Sequence, residues 1–76
     1  MIPVHLQKVV PDQNMARFYH MDIAPTLFGE VSVLRTWGRM GTHGKTTVET
    51  CATSGAAVAA ADRTLRQKLR RGYLSF

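Results

Sequence analysis

Residues 31–53 read VSVLRTWGRMGTHGKTTVETCAT, and this stretch decides the fold. It contains two runs rich in β-branched and aromatic residues, Val31 to Trp37 and Lys45 to Thr53, on either side of a segment with three glycines in seven residues. Such a segment is typical of a hairpin that needs positive φ angles or close backbone approach. The stretch therefore predicts an antiparallel hairpin with the glycines in its turn.

Two further strand-like runs precede the hairpin. Val4 to Val10 ends at the turn-forming residues 11–14, and Arg17 to Ala24 ends at Pro25. The connector at residues 27–30 carries the apolar pair Leu27 and Phe28, which we expect to dock on the core. Together with the hairpin, these runs predict a small antiparallel sheet of about four strands.

A helical period begins at Ser54. Ser54 suits an N-cap, and Gly72 suits the residue that ends a helix. Apolar residues spaced by three or four predict one stripe that packs on the sheet. That stripe consists of Val58, Ala61, Leu65 and Leu69. The predicted fold class is therefore α+β, with one C-terminal helix on the sheet, and we expect Tyr73 and Phe76 to fold back onto the sheet after the helix.

The chain length limits the function classes. Seventy-six residues predict a single domain over residues 1–76, and a domain of that size leaves little area for a deep catalytic cleft. No apolar run long enough for a membrane span and no signal-peptide pattern is present, so we expect a cytoplasmic protein without membrane association. The histidines and Cys51 lack zinc-ligand spacing, so neither a metal nor a cofactor is expected.

Positive charge is concentrated in the second half of the chain. Residues 1–34 hold two Lys/Arg and three Asp/Glu, whereas residues 35–76 hold eight Lys/Arg and two Asp/Glu. A basic half on a small folded domain favours an anionic partner, and nucleic acid is the commonest one. Solubility alone is the other explanation for such a charge.

The hairpin carries a basic–aromatic–basic pattern. Arg35 and Trp37 share one strand face, and Arg39 joins them if the alternation survives Gly38. Arginine donates to phosphate, an indole packs on sugar or an unpaired base, and Lys45 adds a charge where the hairpin ends. The alternatives are that Trp37 belongs to the core with its strand neighbours, and that Arg39 holds the turn by bonding carbonyls.

The helix adds a second basic surface. Arg63, Arg66 and Arg70 fall within a narrow sector on the flank of the helix. Arg66 and Arg70 repel each other at i, i+4, and Asp62 partly offsets this. A bound phosphate would relieve the repulsion, although basic residues near the end of the helix also complement its dipole.

Residues 33–44, with Trp37-Gly38-Arg39 at their centre, resemble the signature of the WGR domain. The surrounding pattern agrees over roughly residues 17 to 74. In the DNA-dependent poly(ADP-ribose) polymerases this domain is a sheet with a packed helix, has no catalytic residue, and contacts DNA at strand breaks. By resemblance, Trp37 would pack against a terminal sugar, and Arg39 would touch phosphate or a neighbouring domain.

The sequence thus predicts a non-catalytic module that binds nucleic acid, expected to be duplex DNA near an end or break, without reading base sequence. The alternative is a protein-interaction adaptor that docks a partner in a DNA-repair or regulatory complex. The candidate nucleic-acid contacts are Arg35, Trp37, Gly38, Arg39, Lys45, Arg63, Arg66 and Arg70.

Overall fold

The computed structural model describes residues 3–75 and consists of one sheet and one helix. The strands are β1 (Val4–Val10), β2 (Met15–Pro25), β3 (Val31–Arg39), β4 (Lys45–Cys51) and β5 (Leu74–Ser75), and the helix is α1 (Ser54–Arg70). The sheet has the order β4-β3-β2-β1-β5, and all its pairs are antiparallel. The α+β class is therefore confirmed, and β5 extends the predicted sheet of about four strands to five.

The turn between β1 and β2 follows from its composition. Pro11 opens a single 3₁₀ turn, because its fixed φ suits the first helical position. Asn14 closes the turn in the left-handed region with φ of 50°, a conformation that asparagine tolerates better than most residues. Its amide donates to the carbonyl of Pro11. Strand β1 is thereby set against β2, with Val10 opposite Met15.

The hairpin between β3 and β4 uses its glycines in the two predicted ways. Gly41 and Gly44 have φ of +91° and +71°. Gly38 is a close-approach position, because a Cβ there would lie 2.8 Å from the Cα of Gly44. The two strands can therefore approach this closely only because Gly38 and Gly44 carry hydrogen in place of a side chain.

The N-cap of helix α1 lies one residue earlier than the sequence suggested. Thr53, not Ser54, is the cap, and its Oγ1 accepts a hydrogen bond from the amide of Ala56. Gly72 follows the helix with φ of +95°, as expected of the residue that ends a helix. Within residues 3–75, no helix is long and apolar enough to cross a membrane.

The predicted apolar stripe of the helix is wrong in part. Val58 and Leu69 are 41% and 45% exposed, whereas Ala61 is buried and Leu65 packs partly against the core. The helix is rotated so that its alanine face meets the sheet, and the buried residues of that face are Ala57, Ala60 and Ala61. Small side chains allow the closest approach of helix to sheet, which explains this rotation.

The core lies between α1 and one face of the sheet. Leu6, Met21 and Val33 are its largest fully buried side chains. Tyr73 is 8% exposed within the same cluster, so its predicted return to the sheet is confirmed, and the two residues after it form β5. Phe76 lies outside the described residues.

The connector between β2 and β3 does not dock on the core. Leu27 and Phe28 are 97% and 86% exposed, so that prediction is wrong. The connector is a tight turn in which Thr26 donates its amide to the carbonyl of Glu30, with Gly29 at φ of +82°. A turn this short projects its side chains beyond the sheet rather than over it.

Candidate nucleic-acid interface

The two faces of the sheet differ sharply in charge. Strand register places β1–β4 residues alternately on the face covered by α1, which we call the helix face, and on the opposite or open face. Every Lys and Arg of the strands lies on the helix face: Lys8, Arg17, Arg35, Arg39 and Lys45. The remaining five lie on α1 or at its C-cap. All ten cations of the chain are therefore on one side of the sheet.

Three of these cations form a row across three strands. Lys8 lies opposite Arg17, and Arg17 lies opposite Arg39. Like charges that face each other directly across strands destabilise a sheet. Within residues 3–75, no carboxylate forms a salt bridge with any member of this cationic row. The arrangement is thus unfavourable in the free domain and would gain from a bound anion.

The cationic row borders a groove between the sheet and the C-terminal half of α1. The groove has a volume of about 500 Å³. Its lining combines aromatic rings and cations, and no residue of it is acidic. The lining residues are Arg17, Phe18, Tyr19, Trp37, Gly38, Arg39, Lys68 and Tyr73. We call it the Trp37 groove.

Trp37 is half-buried and has two roles in this groove. Its ring stacks against Tyr19, with centroids 6.1 Å apart and planes 20° from parallel. It packs against the core cluster through this contact and also lines the groove. One part of the side chain thus packs against the core, and another part is open to the groove.

Lys68 is the cation that the helix contributes to the groove. Its ammonium lies 4.6 Å from the ring centroid of Tyr19 and 5.5 Å from that of Tyr73, distances at which a cation is attracted to the ring face. Partial burial, followed by repulsion from Arg71 and Arg17, lowers the pKa of Lys68 below its usual value. A bound anion would raise the pKa of Lys68 again, because its charge would oppose those of Arg71 and Arg17.

Arg39 holds a turn, although not its own. Its guanidinium donates to the backbone carbonyl and side-chain oxygen of Asn14, at 3.1 and 3.3 Å. The alternation does survive Gly38, since Arg39 lies on the helix face with Trp37. Arg39 therefore ties β3 to the β1–β2 turn while its exposed head remains in the Trp37 groove.

A second groove runs along the other flank of α1. Its volume is about 710 Å³. The three predicted arginines of the helix line it together with Arg35, Ala60, Thr64 and Gln67. The Asp62 carboxylate forms an exposed ion pair with Arg66 at 3.2 Å, which is worth little in water. Arg63, Arg66 and Arg70 thus present their charges to one shared concave surface, the arginine groove.

Arg35 is mainly a structural residue of this groove. Its side chain is 15% exposed, and its guanidinium donates to Glu49 Oε1 at 2.9 Å and to Thr64 Oγ1 at 3.2 Å. It therefore links β3 to β4 and to the helix. Of the two predicted contacts that form ion pairs, Arg35 is the more buried, at 15% exposure against 64% for Arg66.

The remaining predicted residues lie at the hairpin. Lys45 is exposed and lies opposite Trp37 on the helix face, and Gly38 forms part of the floor of the Trp37 groove. Sequence reasoning missed Arg17, Lys8 and Lys68. Strand alternation offered a signal for Arg17, since it precedes Tyr19 by two positions, but the register that aligns it with Arg39 is visible only in the structure.

The open face of the sheet has no Lys or Arg among its described strand residues. It carries an aromatic group instead: His20 lies 4.4 Å from His5 and 4.9 Å from Phe18, measured between ring centroids. Within residues 3–75, no group of three His, Cys, Asp or Glu side chains is arranged to hold a metal ion.

We expect His20 to make the domain less stable in mild acid. Burial, followed by the charge of His5, lowers the pKa of His20 below its ordinary value near 6.5. As pH falls through that value, the unfolded chain takes up the proton before the folded one, so the free energy of unfolding decreases. We expect the melting temperature to fall between about pH 7.5 and pH 5.5, and to fall less in His20→Gln. Equal decreases in the two proteins would contradict this.

Comparison with known proteins identifies the family. The WGR domain family matches residues 2–75. The uncharacterized protein y4dW of Sinorhizobium fredii is 43% identical over 70 residues, which are 92% of this chain and 34% of that protein. A crystal structure of a Bacteroides fragilis protein has the same fold, with a TM-score of 0.84 at 21% identity, over 99% of this chain and 19% of that one. The chain thus spans about a third and a fifth of these proteins, and it belongs to the WGR domain family.

Proposed function

We propose that this chain forms a single non-catalytic domain that binds duplex DNA near an end or break, without reading base sequence. WGR domains are generally nucleic-acid-binding modules. The observation that carries the proposal is the placement of all ten Lys and Arg on one side of the sheet. A polyanion that approached this side would meet both grooves, and every Lys and Arg side chain would be on the side that it contacts.

The Trp37 groove suits the terminus of a duplex. At a break the last sugar and base are accessible from the end, and an indole can pack on them with a gain of about 1–3 kcal/mol. Arg17, Arg39 and Lys68 surround the indole and would contact phosphates on either side. Binding would also relieve the repulsion within the cationic row, and this relief would contribute to the affinity.

The arginine groove extends this surface along the backbone. Arg63, Arg66 and Arg70 line it from a single helix. Each guanidinium group can donate two parallel hydrogen bonds to the oxygens of one phosphate. Phosphate and sugar are common to every DNA sequence, so contacts of this type give register and affinity without base discrimination.

Arg17→Gln separates binding from folding. The side chain of Arg17 is exposed and makes no hydrogen bond or ion pair within residues 3–75, and it faces two cations. The variant should keep or raise the melting temperature, because it removes repulsion. It should weaken binding to a short blunt duplex, and the slope of log K against log salt should become shallower by about 0.9, because one fewer phosphate is neutralised.

Gln7→Glu is the matched control. It lowers the net charge by the same unit but lies on the open face, opposite Phe18. Both variants and the parent are titrated by fluorescence anisotropy between about 50 and 200 mM salt. Equal weakening by the two variants would mean that only net charge matters. Absence of binding to the duplex at the lowest salt would reject the proposal and favour the protein-interaction adaptor.

A further inference from the structure

Strand β4 is an open edge of the sheet. It pairs with β3 on one side only and ends the strand order. Six of its seven residues are exposed, including Val48 at 60%. Natural sheets usually protect such an edge with proline, charged side chains, a bulge or a covering element. β4 has the sequence KTTVETC, which contains no proline and is rich in β-branched residues that favour pairing. Its charged residues are one cation, Lys45, and one carboxylate, Glu49.

The sequence of β4 is complementary to itself in charge. Lys45 and Glu49 are its only charged residues, and they lie two positions on either side of Thr47. When two copies run antiparallel with Thr47 opposite Thr47, each Lys45 lies directly opposite Glu49 of the other copy. Opposite charges in that position stabilise strand pairing. Thr46 and Val48 then face each other on the open face.

Only this register joins the two charges. A two-fold axis normal to the sheet keeps both helices on the same side of the joined sheet. Residues that face each other across the two strands then project to the same face. The axis must therefore lie level with one residue, which faces its own copy, and not midway between two successive residues. An axis at Thr46 places Lys45 opposite Thr47, and an axis at Val48 places Lys45 opposite Cys51. Glu49 retains capacity for a second cation, because its side chain is 50% exposed and only Oε1 is bonded to Arg35.

We propose that two copies of this chain associate through their β4 strands about a two-fold axis at Thr47, forming one continuous antiparallel sheet. The N–H and C=O groups of every second residue of β4 point away from β3. Whichever set of residues this is, two copies can pair, because an antiparallel strand offers matching donors and acceptors to its own copy. A contact of one strand pair buries little apolar area, so the association is weak and concentration-dependent. This association does not depend on DNA binding.

The dimer has a consequence for the basic surfaces. Arg35, which lines the arginine groove, donates to Glu49 on the dimer edge. The axis at Thr47 therefore sets the two arginine grooves on the same side of the joined sheet, one on each side of the axis. The dimer offers a polyanion a pair of related surfaces.

Disulfide trapping tests the register. Thr47→Cys, made in a Cys51→Ser background, places two thiols on the axis with Cα atoms about 4.5–5.5 Å apart, within the range that a disulfide spans. Thr50→Cys in the same background is the control, because Thr50 would face Gly44 of the other copy. We expect mild oxidation to give a covalent dimer rapidly for Thr47→Cys and slowly for Thr50→Cys. Equal rates, or no dimer from Thr47→Cys, would overturn the proposal.

Sedimentation without DNA tests the charge pairing. The parent should show reversible association that increases with concentration. Lys45→Glu places two carboxylates opposite each other and should raise the dimer dissociation constant about tenfold or more. The double variant Lys45→Glu with Glu49→Lys should recover part of the association, provided that circular dichroism shows it folded. A parent that is monomeric at every accessible concentration would overturn the proposal, as would undiminished association of Lys45→Glu.

Discussion

Gly44→Ala should destabilise this domain by about 3 kcal/mol or more, the largest destabilisation that we expect from one added methyl group. A Cβ on Gly44 would overlap the carbonyl oxygen of Trp37 and lie 2.8 Å from Cζ of Phe18. The backbone at that point also has φ of +71°, which costs an L-residue free energy even where space is available. The hairpin must therefore open, and the strand that carries Trp37 shifts with it.

Gly41→Ala is the matched comparison. It lies in the same turn with φ of +91°, but nothing lies within 4 Å of its Cβ position. Its destabilisation should be limited to the conformational cost of about 1–2 kcal/mol. Urea unfolding of the two variants and the parent measures the difference. Similar destabilisation of both variants would show that the packing of Gly44 against Trp37 and Phe18 does not control the hairpin.

Trp37→Ala should weaken binding to a blunt duplex by about fivefold or more, since stacking on an indole is worth about 1–3 kcal/mol. The same substitution removes the ring stacked on Tyr19, so the domain should also become less stable. Trp37→Phe keeps an aromatic face against Tyr19 and should retain much of both properties. Anisotropy titrations measure the affinity, and thermal unfolding shows that each variant is folded at the temperature of the titration.

Affinity and stability need not change together here. Arg17→Gln is expected to weaken binding without reducing stability, and Gly41→Ala to reduce stability without weakening binding by the folded protein. If Trp37→Ala, shown to be folded, binds the duplex as tightly as the parent, the indole is only a core residue and the Trp37 groove is not the contact surface.

Local signals in the sequence predicted much of the fold. The glycines of residues 38–44 predicted the hairpin, and the change of period at residue 54 predicted the helix to within one residue of its start. These features depend on neighbours in the chain. The rotation of the helix does not, because Val58 and Ala57 compete for the inner face and the fit of the helix to the sheet decides between them. The predicted docking of Leu27 and Phe28 was wrong for a similar reason, because apolar character does not indicate whether a short turn extends over the core.

The residues of the candidate site likewise fall into two groups, those that local sequence patterns indicated and those that only the structure shows. Strand alternation indicated that Arg35 and Trp37 share one face, joined by Arg39 on condition that the alternation survived Gly38. Helical spacing indicated Arg63, Arg66 and Arg70. The cationic row and Lys68 depend on strand register and on helix orientation, which are long-range properties. Pairing with Glu49, which lies beyond the hairpin turn, makes Arg35 a structural residue first.

The most direct test of the proposed DNA-binding surface is a titration of the ¹⁵N-labelled domain with a short blunt duplex, followed by amide and indole spectra. Binding at the helix face predicts large shifts for the Trp37 indole and for the amides of Arg17, Gly38 and Arg39, smaller shifts along residues 63–70, and little change at Thr36 and Thr46 on the open face. Shifts concentrated at Thr36 and Thr46, with the Trp37 indole unmoved, would contradict the assignment.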